Sequence, residues 1–199
     1  MIQNFKLGEL FEIQLGKTPA RGNKNMWDQN KKSNNIWLSI KDLNQADANG
    51  YVSDSDEYIS DDGAKLVKLI PKDTLLLSFK LTLGRTAITK VPLRTNEAIA
   101  ALLPKTDQCN IRYLKYYFEY FDFIKFASND FKVKGLTLNK KKLADIPIPV
   151  PSHQEQEKIV KRLDKVFENI DKLTEDSAKN IENSKNLFFS FLNETFRGN

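Results

Sequence analysis

Between Lys125 and Lys142 the basic residues Lys125, Lys132, Lys134, Lys140, Lys141 and Lys142 face only Asp130, and Phe126, Phe131 and Gly135 lie among them. The chemistry open to such a set is neutralisation of phosphate, so this segment is the most plausible electrostatic footprint for nucleic acid. A solvated loop and helix edge is the competing reading. The net charge of +5 and pI near 9.1 are compatible with an anionic partner but do not demand one. His153 is the only histidine; beside a helix start it suits a solvent-facing place in the first turn better than general-base work. Cys109 is the only cysteine, which excludes an internal disulfide framework and offers no zinc-ligand pattern, so it reads as a reduced structural thiol. The acidic run "DSDEYISDD" (Asp54 to Asp62) lacks the glycine and the closing glutamate of a calcium loop and reads as a solvated turn. There is no phosphate-binding glycine loop, no dinucleotide fingerprint, no metal-ligand cluster and no convincing set of paired carboxylates with a nearby lysine. The chain is therefore expected to recognise and connect rather than catalyse, with no metal and no cofactor of its own.

These residues lie in an α+β chain of two parts: a mixed α/β globular domain over residues 1–151 and a single long C-terminal helix over 152–199. The stretches "NIWLSI" (Asn35 to Ile40), "TLLLSF" (Thr74 to Phe79), "TAITKV" (Thr86 to Val91) and "AIAALLP" (Ala98 to Pro104) are short, apolar and partly β-branched, as strands are. Gly84, in "KLTLGRT", can supply a positive-φ turn between the second and third. From Ile111 to Ala127 aromatic and aliphatic residues recur at three and four spacing, which predicts a helix packed on the sheet; an aromatic platform for stacking bases is the sharper but less favoured reading. Pro147, Pro149 and Pro151 alternate and cannot be helical, so they read as a stiff extended bridge out of the domain. Ser152 then caps the helix, and Glu155 completes an S-x-x-E capping box.

The tail has no proline or glycine before Gly198, so about 45 residues can form one helix roughly 65 Å long. Its apolar stripe runs through Ile159, Leu163, Val166, Ile170, Leu173, Ile181, Leu187, Phe188 and Phe191, a seam that suits coiled-coil partners. Ser177, Asn180 and Ser184 interrupt it, and polar seam residues can fix register. A helix folded back on its own domain is the alternative. The absence of a secretory leader pattern or of an apolar run approaching about 18 residues makes the cytoplasm the expected compartment.

Several stretches resemble, in order, one family: the specificity (S) subunits of type I restriction-modification systems. "KLGELFEIQLGKTPAR" looks like the start of their target recognition domains and "IWLSIKDLN" like the strand and turn that follow. "LLLSFKLTLGRTAIT", "TNEAIAAL" and "KGLTLNKKKLADIPIPVPSHQEQEKIVKRLD" continue the likeness, and "LFFSFLNETFRGN" is similar to the end of the family's helical region. The strongest piece is "IPIPVPSHQEQEKIVKRLD", where prolines, the E-Q dipeptide and the following Ile and Leu occur in register. Many family members carry Gly where Leu81 stands.

The resemblance implies a non-catalytic subunit whose globular domain reads a half-site of double-stranded DNA and whose helix is spacer and docking surface for modification (methyltransferase) subunits. The restriction subunit joins through the complex, and S-adenosylmethionine belongs to the modification subunit. A typical family member has two recognition domains and two helices; this chain has one of each, which implies a homodimer through the helix or a second specificity chain. The candidate DNA contacts are Lys17, Thr18 and Arg21 in the loop after the first apolar segment, Lys41 after "WLSI", and Lys80, Thr82 and Arg85 at the tight turn. Lys132, Lys134 and Lys140 join them from the basic segment. Lysines favour phosphates and arginines can read bases bidentately, so Arg21 and Arg85 are the candidates for base readout. A coiled-coil interaction module with a protein-binding head is the other function open to this sequence.

Overall fold

The computed structural model describes residues 2–47, 49–127 and 138–197, as two units, residues 1–157 and 158–199. In chain order the first unit holds β1 (Gln3–Lys6), α1 (Leu7–Leu10), β2 (Phe11–Leu15), β3 (Trp37–Leu38), β4 (Tyr51–Val52), α2 (Asp61–Lys65), β5 (Leu75–Ser78) and β6 (Thr86–Thr89). There follow β7 (Arg94–Thr95), β8 (Ile99–Pro104), α3 (Ile111–Tyr120), α4 (Phe123–Ala127), α5 (Lys140–Ala144) and β9 (Pro147–Val150); α6 (His153–Arg197) then runs into the second unit. The main sheet has the order β2-β8-β5-β6-β4, antiparallel except for β4 beside β6. Its central strand β5 is buried at every position, because both faces carry apolar layers. Leu76, Ala87 and Ala101 stand in register on one face, and Leu75, Ile88 and Leu102 on the other, the period-2 arrangement that fixes strand register.

The expected strand at Asn35–Ile40 is shorter in the structure. Trp37–Leu38 pairs in parallel with β7 and Ile36 makes a single antiparallel bridge to Tyr58; the stretch ends there because the Asp42 carboxylate accepts from the Ser39 N–H and hydroxyl, both at 2.7 Å, and turns Ile40–Gln45 into a 3-10 helix. The helix expected over Ile111–Ala127 is likewise two helices. Phe121 is extended, and Asp122 accepts from the Lys125 N–H at 2.8 Å, starting α4 afresh.

Pro147 and Pro149, the first two of the alternating prolines, lie in a strand rather than a free bridge, and Pro151 follows its end. β9 pairs antiparallel with β1, Phe5 opposite Ile148 and Lys6 opposite Pro147. Pro147 and Pro149 take the positions whose N–H would point away from β1, so their missing donors cost the ladder nothing. Their outward carbonyls accept from Tyr117 and Tyr113 of α3, at 2.7 and 2.6 Å. These tyrosines therefore pack and bond within the domain, and burial pushes the Tyr113 hydroxyl up to about 12. The phenylalanines Phe118, Phe121, Phe123 and Phe126 form a ring cluster beside them.

Helix α6 starts where its sequence signals place it. The Ser152 hydroxyl accepts from the Glu155 N–H at 3.4 Å, and the buried Gln156 amide clamps the first turn. Gln156 donates to the carbonyls of Gln108 (2.8 Å) and Pro151 (2.9 Å) and accepts from the Asn110 N–H (2.8 Å). Loss of the cap by Ser152→Ala is expected to lower stability by about 1 kcal/mol. Thermal unfolding and amide exchange in residues 153–157 check this; unchanged values in both place the cap elsewhere.

In the second unit the helix presents Val166, Ile170, Leu173, Ile181, Leu187, Phe188 and Phe191, each an exposed apolar side chain. Ile159 and Leu163 are half-buried. Within the polar interruption the Ser184 hydroxyl bonds back to the Asn180 carbonyl at 2.8 Å, so its hydrogen bond is made inside its own helix. No helix among the described residues is long and apolar enough to cross a membrane.

Candidate nucleic-acid interface

The loop that carries Lys17, Thr18 and Arg21 leaves β2 through Gly16, which is pressed against β7. A Cβ there would lie 2.2 Å from the carbonyl oxygens of both Thr95 and Asn96, so only glycine fits. The Lys17 N–H then bonds to the Thr95 carbonyl at 2.9 Å. The two tryptophan side chains hold the rest: the Trp37 indole N–H donates to the Lys17 carbonyl (3.0 Å) and that of Trp27 to the Ala20 carbonyl (3.2 Å). The two rings meet edge to face with centroids 5.0 Å apart.

Arg21 lies against this pair, its guanidinium carbon 4.0 Å from the Trp27 ring centroid and 4.8 Å from that of Trp37. Both terminal nitrogens bond to the Glu57 carboxylate, a fork-to-fork pair. Glu57 therefore already occupies the fork by which Arg21 would read a base. Arg21, Trp27 and Glu57 border a cavity of about 350 Å³, with Lys24, Asp28, Gln29, Asp56 and Tyr58 completing its lining.

Neighbouring cations are organised in the same way. Lys41 pairs with Asp56 at 3.0 Å, beside Glu57 in the chain. Thr18 donates to Glu97; burial alone would raise the Glu97 pKa, but that bond, its own backbone N–H and the Lys80 and Arg21 charges hold the carboxyl below its ordinary value. Thr18, Arg21 and Lys80 thus gather around Glu97, and Lys41 joins through Asp56 and Glu57. Lys17, at the start of the same loop, is exposed.

Thr82 and Arg85 lie exposed on the β5–β6 turn, where Ser78 is the anchor: its hydroxyl donates to the Thr82 carbonyl (2.5 Å) and accepts from the Arg85 N–H (2.9 Å). Arg85 borders a different cavity, of about 410 Å³, with Lys115 and Glu119. Lys140 opens α5 behind Asn139, whose side chain accepts from the Lys142 N–H at 2.9 Å. Lys132 and Lys134 lie outside the described residues.

Sequence reasoning singled out the cations and missed what holds them. The acidic run is more than a solvated turn, since Asp56 and Glu57 are the partners of Lys41 and Arg21, and Asp54 accepts from the Tyr58 hydroxyl at 2.7 Å. The chain's only two tryptophans, Trp27 and Trp37, both precede that run in the sequence and meet it only through the fold, Trp27 bridging Ile59 and the Trp37 N–H donating to the Glu57 carbonyl. Cys109 is buried, and burial pushes its thiol up to about 12, far from thiolate reactivity. His153 is exposed at the first residue of α6.

The model of the type I restriction modification DNA specificity domain matches residues 2–183. The specificity subunit of the type I restriction enzyme MjaIX from Methanocaldococcus jannaschii is 32% identical over 198 residues, 94% of this chain and 43% of that subunit. A chain from a structural study of complex assembly and conformational transition in the type I R-M system superposes with a TM-score of 0.76 at 22% identity, over 99% of this chain and 46% of its own length. The HsdS subunit from Thermoanaerobacter tengcongensis gives 0.70 at 21% identity, over 99% and 45%. The chain spans about half the length of the relatives it matches. On the family match over most of its length, and with the mixed domain and long helix that these neighbours share, the chain belongs to the type I restriction modification DNA specificity family.

Proposed function

We propose that the chain is a sequence-recognition subunit of a type I restriction-modification system, non-catalytic and working in the cytoplasm, whose domain reads a half-site of double-stranded DNA. The observation that carries this is the family match over residues 2–183, which takes in the whole mixed domain and most of the helix. The cation-bearing loops around Thr18, Arg21, Lys41 and Lys80 support it, because such a face can meet phosphates and fix the domain's register on a duplex. Exposed seam residues of α6 are covered by a second copy of the chain, and the helix pair docks the modification subunit. That subunit carries S-adenosylmethionine and performs adenine methylation; the restriction subunit joins through the complex.

A salt series on duplex binding tests the DNA reading. The logarithm of affinity is expected to fall linearly with the logarithm of salt, and Lys132→Ala, Lys134→Ala and Lys140→Ala together to flatten the slope by roughly 0.9 for each phosphate no longer neutralised. Affinity that ignores salt overturns the DNA reading, and affinity and slope left unchanged by these substitutions remove the basic segment from the DNA face. Methylome sequencing of cells that carry the chain with its modification subunit identifies the target; methyl transfer by the purified chain alone overturns the non-catalytic assignment.

A further inference from the structure

The turn between β5 and β6 holds an apolar side chain in a costly place. Leu81 has φ 64°, in the left-handed region that disfavours any residue with a Cβ. The Thr82 N–H bonds to the Lys80 carbonyl at 2.7 Å, closing a three-residue turn centred on Leu81, and positive φ makes it the rarer, strained form of that turn. Burial offers no compensation, since Leu81 is 72% exposed. Among the described residues the other non-glycine positions with positive φ are Lys31 and Asp73, both polar; the Lys31 ammonium bonds to the Ser55 carbonyl at 2.6 Å.

The surrounding loop holds the conformation on several sides. Ser78 binds Thr82 and Arg85 through its hydroxyl, and its carbonyl accepts from the Gly84 N–H at 3.0 Å. Gly84, at φ 82°, lies under the Phe123 ring, whose nearest atom would be 2.7 Å from an added Cβ. The result is a rigid apex that presents one aliphatic side chain between polar and cationic neighbours: Lys80, whose charge acts on Glu97 beside Thr18, and the exposed Thr82 and Arg85. Strain held this firmly, with no burial to explain the side chain, is characteristic of ligand-binding positions.

Resting on the DNA-recognition reading above, we propose that Leu81 is a specificity-determining residue whose side chain makes an apolar contact with a base of the bound duplex while Lys80 and Arg85 hold the flanking backbone. Duplex DNA offers an aliphatic side chain two apolar surfaces, the thymine methyl in the major groove and the face of a base at an opened step.

The test begins with site selection from random duplexes by the parent chain. Leu81→Gly relieves the turn and removes the side chain. Leu81→Asn keeps a residue that tolerates left-handed backbone but makes it polar, and Leu81→Met keeps an apolar surface. At one base-pair position, Leu81→Gly and Leu81→Asn are expected to lose discrimination by about tenfold, the scale of one apolar group in a fitted site. Nonspecific affinity, salt slope and melting temperature stay at or above the parent's, and Leu81→Met keeps most of the discrimination. Uracil in place of thymine at that position separates the two sources: loss with the parent protein assigns the methyl, and retention assigns the base face. Leu81→Gly that selects the parent's site and discriminates within twofold of it overturns the proposal. A parent chain that prefers no duplex over another overturns the recognition reading instead.

Discussion

Gly16→Ala is expected to destabilise the domain by about 3 kcal/mol, because a methyl group forced into packed backbone has no rotamer by which to escape. The clash is with the carbonyls of Thr95 and Asn96, both of which would lie 2.2 Å from the new carbon, and with the Thr95 hydroxyl at 2.3 Å. Relief requires β2 to part from β7, and the Lys17 N–H bond to the Thr95 carbonyl goes with it. In a unit of this size that loss lowers the melting temperature by roughly 6–12 °C. Gly22 supplies the control: nothing lies within 4 Å of a Cβ built there, so Gly22→Ala should melt with the parent. Because Gly16 sets the start of the Lys17–Arg21 loop, any folded Gly16→Ala protein should also lose duplex affinity beyond what its unfolded fraction explains. Equal melting of the two variants shows that the loop does not approach β7 this closely.

What the sequence made legible follows from the range over which each signal acts. The strands β5, β6 and β8 were readable because continuous apolar, partly β-branched runs of that length have few other uses. The helix start at Ser152 was readable because a cap acts within four residues. The pairing of β9 was not, since proline argues against an interior strand and the partner that makes an edge strand possible lies at the other end of the domain, Gln3 opposite Val150. The break between α3 and α4 turned on whether Asp122 would cap or sit on a helix face, and aromatic periodicity alone does not decide that. At the candidate site the cations could be found as charges, but Glu57 is 36 residues from Arg21 and Glu97 is 79 from Thr18, so their pairing depends on the fold. Gln156 looked like one more polar residue on a charged helix, yet it is fully buried with three hydrogen bonds.

Shortening α6 by two heptads after Leu163 is expected to bring the two halves of the DNA target closer by about six base pairs without altering either half. This rests on the proposed homodimer. Val166, Ile170, Leu173, Ile181, Leu187, Phe188 and Phe191 expose 49–73% of their surface, and burying apolar area is worth roughly 25 cal/mol per Å². A second copy covers one seam with another. A two-fold axis across the helices makes both copies use the same patch in an antiparallel pair, each carrying its domain at its own N-terminal end; this is the closed arrangement that places the two domains at opposite ends. The domains then read identical half-sites on opposite strands, and the target is a divided palindrome whose gap follows helix length. Removing fourteen residues takes out about 21 Å of helix and keeps the heptad phase, so the seam still closes. Charging it does the opposite: Ile170→Asp with Leu173→Asp should leave a monomer that binds one half-site, with affinity for the full target lower by roughly 100-fold or more as bivalency disappears. Sedimentation of the purified chain reads the dimer and its loss, and site selection reads the palindrome and its gap. A parent chain that is monomeric at tens of micromolar, or that selects a single undivided block, sinks the homodimer and leaves a second, different specificity chain as the cover for the seam.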